Sequence, residues 1–253
     1  MHKGDVMTKL AAAAVVLALS ASAASAAEIK VLSGNGPKAA VIALCAQFEK
    51  ATGARIDLRF GVNPEVKQKI EGGESFDVVV GNPPIVDALI KDKLVVGPRS
   101  DIGRSGLGVA VKSGAPKPDI GTVEAFKKTL LAAKAVAYPG KGASGIYFVG
   151  LLDRMGIKDQ MQGKLKPMAA EDTVEVVARG EADMVVVVAT RITGVPGVDR
   201  VGFIPEELQT KIGFAAGLGA AAKDPEAARA LIKFLSGPSA AATLRANGVE
   251  PMS

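Results

Sequence analysis

The 253-residue chain has one histidine, one cysteine, two tyrosines and no tryptophan. His2 stands at the extreme N-terminus, and Cys45 sits alone in the apolar stretch AAVIALCAQF. These scarcities exclude a Ser-His-Asp triad, a Cys-His pair, an intrachain disulfide, a histidine-bound metal and a zinc knuckle. Lysine and arginine are scattered rather than clustered. With so few aromatic rings, the chain offers neither a phosphate-tracking stripe nor a stacking platform, so no nucleic-acid partner is expected. Cys45, inside a helical pattern, reads as a small buried apolar residue and not as a lipid attachment point. No metal, cofactor or catalytic group is expected.

What is present begins with residues 1–27. Lys3 and Lys9 precede the run LAAAAVVLALSASAASAA, which closes on small residues at a cleavage-like site. This is the pattern of a secretory signal peptide, and its apolar part is shorter than the roughly 20 residues of a membrane span. The expected mature protein is soluble, periplasmic and without a lipid anchor. Its formal net charge is mildly positive, +5 over the whole chain. That excess fits either an ordinary soluble surface or the attraction of small anions.

The remainder alternates strand-like and helix-like runs. EIKVL, ARIDLRF and FDVVV read as strands, and they lead into the helical patterns PKAAVIALCAQFEKAT, NPEVKQKIEGG and PPIVDALIKD. A second series follows: LGVAVKSG, VEAFKKTLLAA, AVAY, IYFVGLLDRMG, KLKPM, TVEVVARGE and DMVVVVA. This alternation predicts an α/β fold with two mostly parallel sheets flanked by helices.

In open α/β sheets, ligands gather beyond the carboxyl ends of the strands. The loops at those ends are 33–36, 61–63, 81–82, 139–145 and 189–191. Three of them pass straight into a helix, whose first N–H groups and dipole favour a bound anion. The candidate ligand contacts are therefore Ser33, Asn35, Gly36, Asn63, Gly81, Asn82, Ser144, Gly145, Tyr147, Thr190 and Arg191. Several carry an equally good structural role. Ser144 and Asn63 suit helix caps, Asn35 and Gly81 suit turns, Tyr147 suits the core, and Arg191 suits an internal acid such as Asp183. Lys141 reads as a loop lysine or an anion contact.

Gly140, Gly142 and Gly145 in YPGKGASGIY also match the G-x-G-x-x-G spacing of a dinucleotide site. That site wants an acidic residue about 20 positions later, where KLKPM is basic and apolar. A Walker A loop fails as well, since Lys141 is followed by Gly142.

The stretches AQFEKATG, RIDLRFGVN, KIEGGESFDVVVGNP, GASGIYFVGLLDRMGI, TVEVVARGEADMVVVVAT and ARALIKFLSGPSAAATLRANGVEP occur in an order and spacing that resemble the type II periplasmic binding proteins. Within these, the similarity is to the molybdate-binding family of ABC importers, and it runs over residues 29–251. The resemblance implies two lobes, 28–105 with 204–253 and 106–203, and a small anionic ligand held in the cleft between them. It also implies a monomer that closes by a hinge, performs no reaction and delivers its ligand to an ABC permease in the inner membrane. In that family, serine hydroxyls from the first two strand-end loops and a tyrosine from the second lobe contact the oxyanion. The corresponding places here hold Gly36, Asn63 and Val188, and Arg191 stands where an acidic residue is usual. The ligand is thus either a molybdate-like oxyanion or a small organic carboxylate, and a periplasmic sensor or enzyme on the same fold is the other class.

Overall fold

The computed structural model describes residues 28–252, so the signal-peptide reading of residues 1–27 lies outside the described residues. Two sheets form the frame. The first contains β1 (Glu28–Gly34), β2 (Arg55–Gly61), β3 (Val78–Gly81), β4 (Val95–Ser105), β10 (Ile212–Gly219) and β11 (Glu250–Pro251), in the order β11-β4-β10-β3-β1-β2. The second contains β5 (Leu107–Lys112), β6 (Val136–Pro139), β7 (Leu165–Met168), β8 (Met184–Val188) and β9 (Val198–Phe203), in the order β7-β6-β8-β5-β9. The helices are α1 (Lys38–Thr52), α2 (Asn63–Glu71), α3 (Pro83–Lys91), α4 (Val123–Ala132), α5 (Ala143–Arg154), α6 (Lys158–Met161), α7 (Glu175–Ala178), α8 (Pro225–Ser236) and α9 (Ala241–Ala246).

This is the two-lobed α/β architecture of type II periplasmic binding proteins, but its sheets are mixed rather than mostly parallel. Strands β1, β2 and β3 pair in parallel, as do β6, β7 and β8. The antiparallel pairings come from the chain's passages between the sheets. Strand β10 arrives from the second sheet and inserts between β3 and β4, antiparallel to both. Strand β5, leaving the first sheet, lies antiparallel between β8 and β9. A strand that enters from the opposite end of a sheet has no other direction to take.

Local chemistry explains the elements. All residues of β3 and β8 are buried, because both faces of these central strands are covered; their runs of valine therefore show no alternation. Helix α1 ends at Gly53, whose φ of 75° is a left-handed conformation that glycine adopts without steric cost. Helix α8 buries Ala228, Leu231, Ile232 and Leu235, a helical stripe laid on β4 and β10. The expected helix TVEVVARGE shrinks to the four residues of α7.

One apolar cluster joins both sheets, with Val31, Val80 and Phe214 on one side and Val185, Val187 and Ile192 on the other. A second fills the far side of the second sheet around Phe126 and Phe148, both fully buried. Each such side chain contributes about 1.5–3 kcal/mol of apolar burial. The two passages between the sheets are stitched together by Gln209. Its Oε1 accepts the Leu107 N–H at 2.7 Å, and its Nε2 donates to the Leu107 carbonyl at 3.0 Å. Among the described residues no helix is long and apolar enough to cross a membrane.

Candidate ligand-binding cleft

The carboxyl ends of β1, β2, β3, β6 and β8 all deliver loops to one place. There the loops enclose a cavity of about 50 Å³ whose lining includes Asn35, Gly36, Asn63, Asn82, Ser144 and Arg191. Four helices, α1, α2, α3 and α5, begin beside it, and none of them has a side-chain cap on its N-terminus. The helices of comparable length that start elsewhere are capped. Thr122 accepts from the Ala125 N–H at the start of α4, and Asp224 accepts from the Ala227 N–H at the start of α8. An α-helix leaves its first N–H groups without internal partners, so uncapped N-termini converging on one cavity make a site for negative charge. Helix α3 contributes none of these donors, because Pro83 and Pro84 lack an N–H and the Ile85 N–H bonds the Asn82 carbonyl, so the free N–H groups come from α1, α2 and α5.

Side chains sharpen this. Arg191, half-buried, is the one charged residue in the lining, and its Nη2 donates to the Ala170 carbonyl at 2.8 Å. It makes no ion pair among the described residues. Asp183, the acid considered for it in the sequence, instead accepts N–H bonds from Lys134 and Ala135. Ser144 is 4% exposed, lies in the first turn of α5, and forms neither a cap nor any other side-chain hydrogen bond among the described residues. Thr173 donates to the Ala169 carbonyl at 2.6 Å and also faces the cavity. Among the described residues no carboxylate lines it, and no group of three or more histidine, cysteine, aspartate or glutamate residues is placed to hold a metal.

The asparagines are already committed to holding loops together. Asn63 Nδ2 donates to Asn82 Oδ1 at 2.6 Å, the Asn82 N–H donates to Asn63 Oδ1 at 3.0 Å, and Asn82 Nδ2 donates to the Gly213 carbonyl at 2.8 Å. They fix the wall formed by the ends of β2, β3 and the start of β10.

Five of the residues proposed from sequence do not line the cavity. Ser33 is fully buried in β1, and its hydroxyl donates to the Gly34 carbonyl. Gly81 makes room for Asn63, whose Oδ1 would lie 2.9 Å from a Cβ there. Tyr147 donates its hydroxyl to the Leu208 carbonyl at 3.0 Å. Thr190 turns to the Gly36 carbonyl, one step behind the lining. Gly145 is needed for packing: a Cβ would sit 1.8 Å from the Pro139 carbonyl oxygen, so this glycine lets α5 press against the end of β6. The G-x-G-x-x-G spacing thus reflects helix-on-strand contact within one loop. Conversely, Ala170 and Thr173 were missed in the sequence. Their loop follows β7, and the strand-end rule would have marked it had KLKPM been followed past its last residue.

The model of the bacterial extracellular solute-binding protein family matches residues 29–250. The chain is 34% identical over 231 residues to a Pseudomonas protein named aconitate isomerase, covering 88% of each. It is 27% identical over 243 residues to the molybdate-binding protein ModA of Azotobacter vinelandii, covering 91% of this chain and 92% of that one. The solved periplasmic molybdate-binding protein of Azotobacter vinelandii superposes with a TM-score of 0.76 at 19% identity, covering 89% of this chain and 100% of that one, a likeness of fold. With this cleft, this fold and a match that runs nearly end to end, the chain belongs to the bacterial extracellular solute-binding proteins.

Proposed function

We propose that the protein captures a small organic anion between its lobes, seating a carboxylate in the inner cavity, and hands it to an ABC permease for import. One observation carries this reading: Arg191, Ser144 and the uncapped helix N-termini offer donors to a cavity that, among the described residues, no carboxylate lines. A guanidinium presents a planar fork that matches a carboxylate in two parallel bonds. The lobes, 28–105 with 204–253 and 106–203, close about the crossings that Gln209 holds together. Export by the N-terminal signal puts capture in the periplasm, with the protein acting as a monomer that binds without turnover.

The relative named aconitate isomerase supports an organic acid as ligand. A tetrahedral oxyanion such as molybdate is the second reading, favoured by the molybdate-binding relative and by helix N-termini that suit a compact dianion. A thermal-shift panel of cis-aconitate, succinate, acetate, molybdate and sulfate separates the two, because a ligand that binds only the folded state raises Tm with its concentration. The expected result is a rise with the carboxylates. A rise with molybdate alone favours the second reading, and no rise with any anion sinks both. Conversion of cis- to trans-aconitate by the same preparation would replace binding by an enzyme activity.

A further inference from the structure

Val62, Pro139, Gly142 and Ala170 line both the inner cavity and a second, outer chamber of about 450 Å³. The two spaces therefore lie side by side at the mouths of the same loops. At about 50 Å³ the inner one has room for a single compact group, and a bare tetrahedral ion seated there would leave the outer chamber to water. Most of the outer wall lacks hydrogen-bonding side chains, as at Pro139, Pro167, Met168 and Ala170. Charge enters it at three exposed residues, Lys141, Glu65 and Glu171, and among the described residues none of the three is engaged in an ion pair.

Their placement polarises the chamber. Glu65 sits in the first turn of α2, where its carboxylate already complements the helix dipole. Lys141 directly precedes the uncapped start of α5, so the ammonium and the positive end of that helix add on the same side.

We propose that the ligand is a di- or tricarboxylate that spans both spaces. One carboxylate lies at Arg191 and Ser144, the carbon skeleton lies against Pro139 and its apolar neighbours, and a second carboxylate lies on the α5 side within reach of Lys141. Glu65, on the α2 side, repels that second carboxylate and so fixes which way round the ligand sits. This inference rests on the anion reading above and adds to it a substrate class and a specificity-determining residue.

The test is calorimetry at low ionic strength with acetate, succinate, cis-aconitate and molybdate, on the protein and on its Lys141→Gln and Arg191→Gln variants. Succinate and cis-aconitate are expected to bind at least about tenfold more tightly than acetate. Lys141→Gln is expected to weaken the longer acids by about fivefold, the range of an exposed ion pair, and to leave acetate unchanged. Arg191→Gln is expected to weaken all carboxylates. If carboxylates bind and need Arg191 but Lys141→Gln alters nothing, the two-chamber inference is overturned and the anion reading stands. If only molybdate binds, or no carboxylate depends on Arg191, the organic-anion reading falls and takes this inference with it.

Discussion

Thr190 donates its hydroxyl to the Gly36 carbonyl at 2.5 Å, joining the short turn after β8 to the loop between β1 and α1. The bond ties two walls of the cleft from opposite sheets, and Thr190 is only 3% exposed. Valine has nearly the same shape but no hydroxyl, so Thr190→Val leaves the carbonyl short of a donor. Gly36 is half-buried at the cavity, so a loss of about 0.5–1.5 kcal/mol is expected for the missing hydrogen bond. For a chain of this length each kcal/mol lowers Tm by about 2–4 °C. An unchanged Tm would mean that this contact does not hold the walls together in solution.

Two glycines of one helix are expected to respond in opposite directions. At Gly145 a Cβ would lie 1.8 Å from the Pro139 carbonyl oxygen, whereas at Gly150 it would meet nothing within 4 Å. Gly145→Ala should therefore destabilise by several kcal/mol, on the order of the larger effects seen for single substitutions. Gly150→Ala should stabilise by about 0.5–1 kcal/mol through helix propensity and a less free unfolded chain. Urea unfolding of the two variants gives the comparison, and the opposite order would contradict the seating of α5 on β6.

Cys45 is buried in α1, and burial, followed by the nearby Glu49, pushes its thiol up to about 12. The folded protein thus holds the proton more tightly than the unfolded chain. Any contribution of this group to stability is full below the ordinary thiol value near 9 and is lost as pH rises from there through about 12. At pH 8 it is a protonated, inaccessible thiol, and the thiolate is the reactive form. A colorimetric thiol reagent should therefore label none of the native protein and one thiol per chain after denaturation. Rapid labelling of the native form would place Cys45 elsewhere.

Much of the frame was readable because its signals are local. The valine runs of β3 and β8 declare strands buried on both faces, and the strand-to-helix hand-overs at Asn63, Asn82 and Ser144 declare where a cleft must be. Pairing between distant segments leaves no such mark. Nothing in KIGFAAGLGA shows that β10 wedges between β3 and β4, so the mixed character of the sheets emerged only in three dimensions. Within the loops, residue type located the neighbourhood but not the direction of each side chain. Ser33 and Tyr147 have suitable hydroxyls in suitable segments, yet each donates to a backbone carbonyl. Ser144 suits a helix cap by residue type but caps nothing, which leaves its hydroxyl to the cavity.

The central claim is that the inner cavity holds the carboxylate of an organic anion through Arg191, and calorimetric titration of the protein and its Arg191→Gln variant with cis-aconitate tests it most directly. Hydrogen bonds to charged groups contribute about 1.5–3 kcal/mol, so the variant should bind about 10- to 100-fold more weakly. Arg191 has one backbone partner and no ion pair among the described residues, so the free variant should unfold within a few degrees of the wild type. Equal affinities for the two proteins, or the absence of binding to either, would contradict the account.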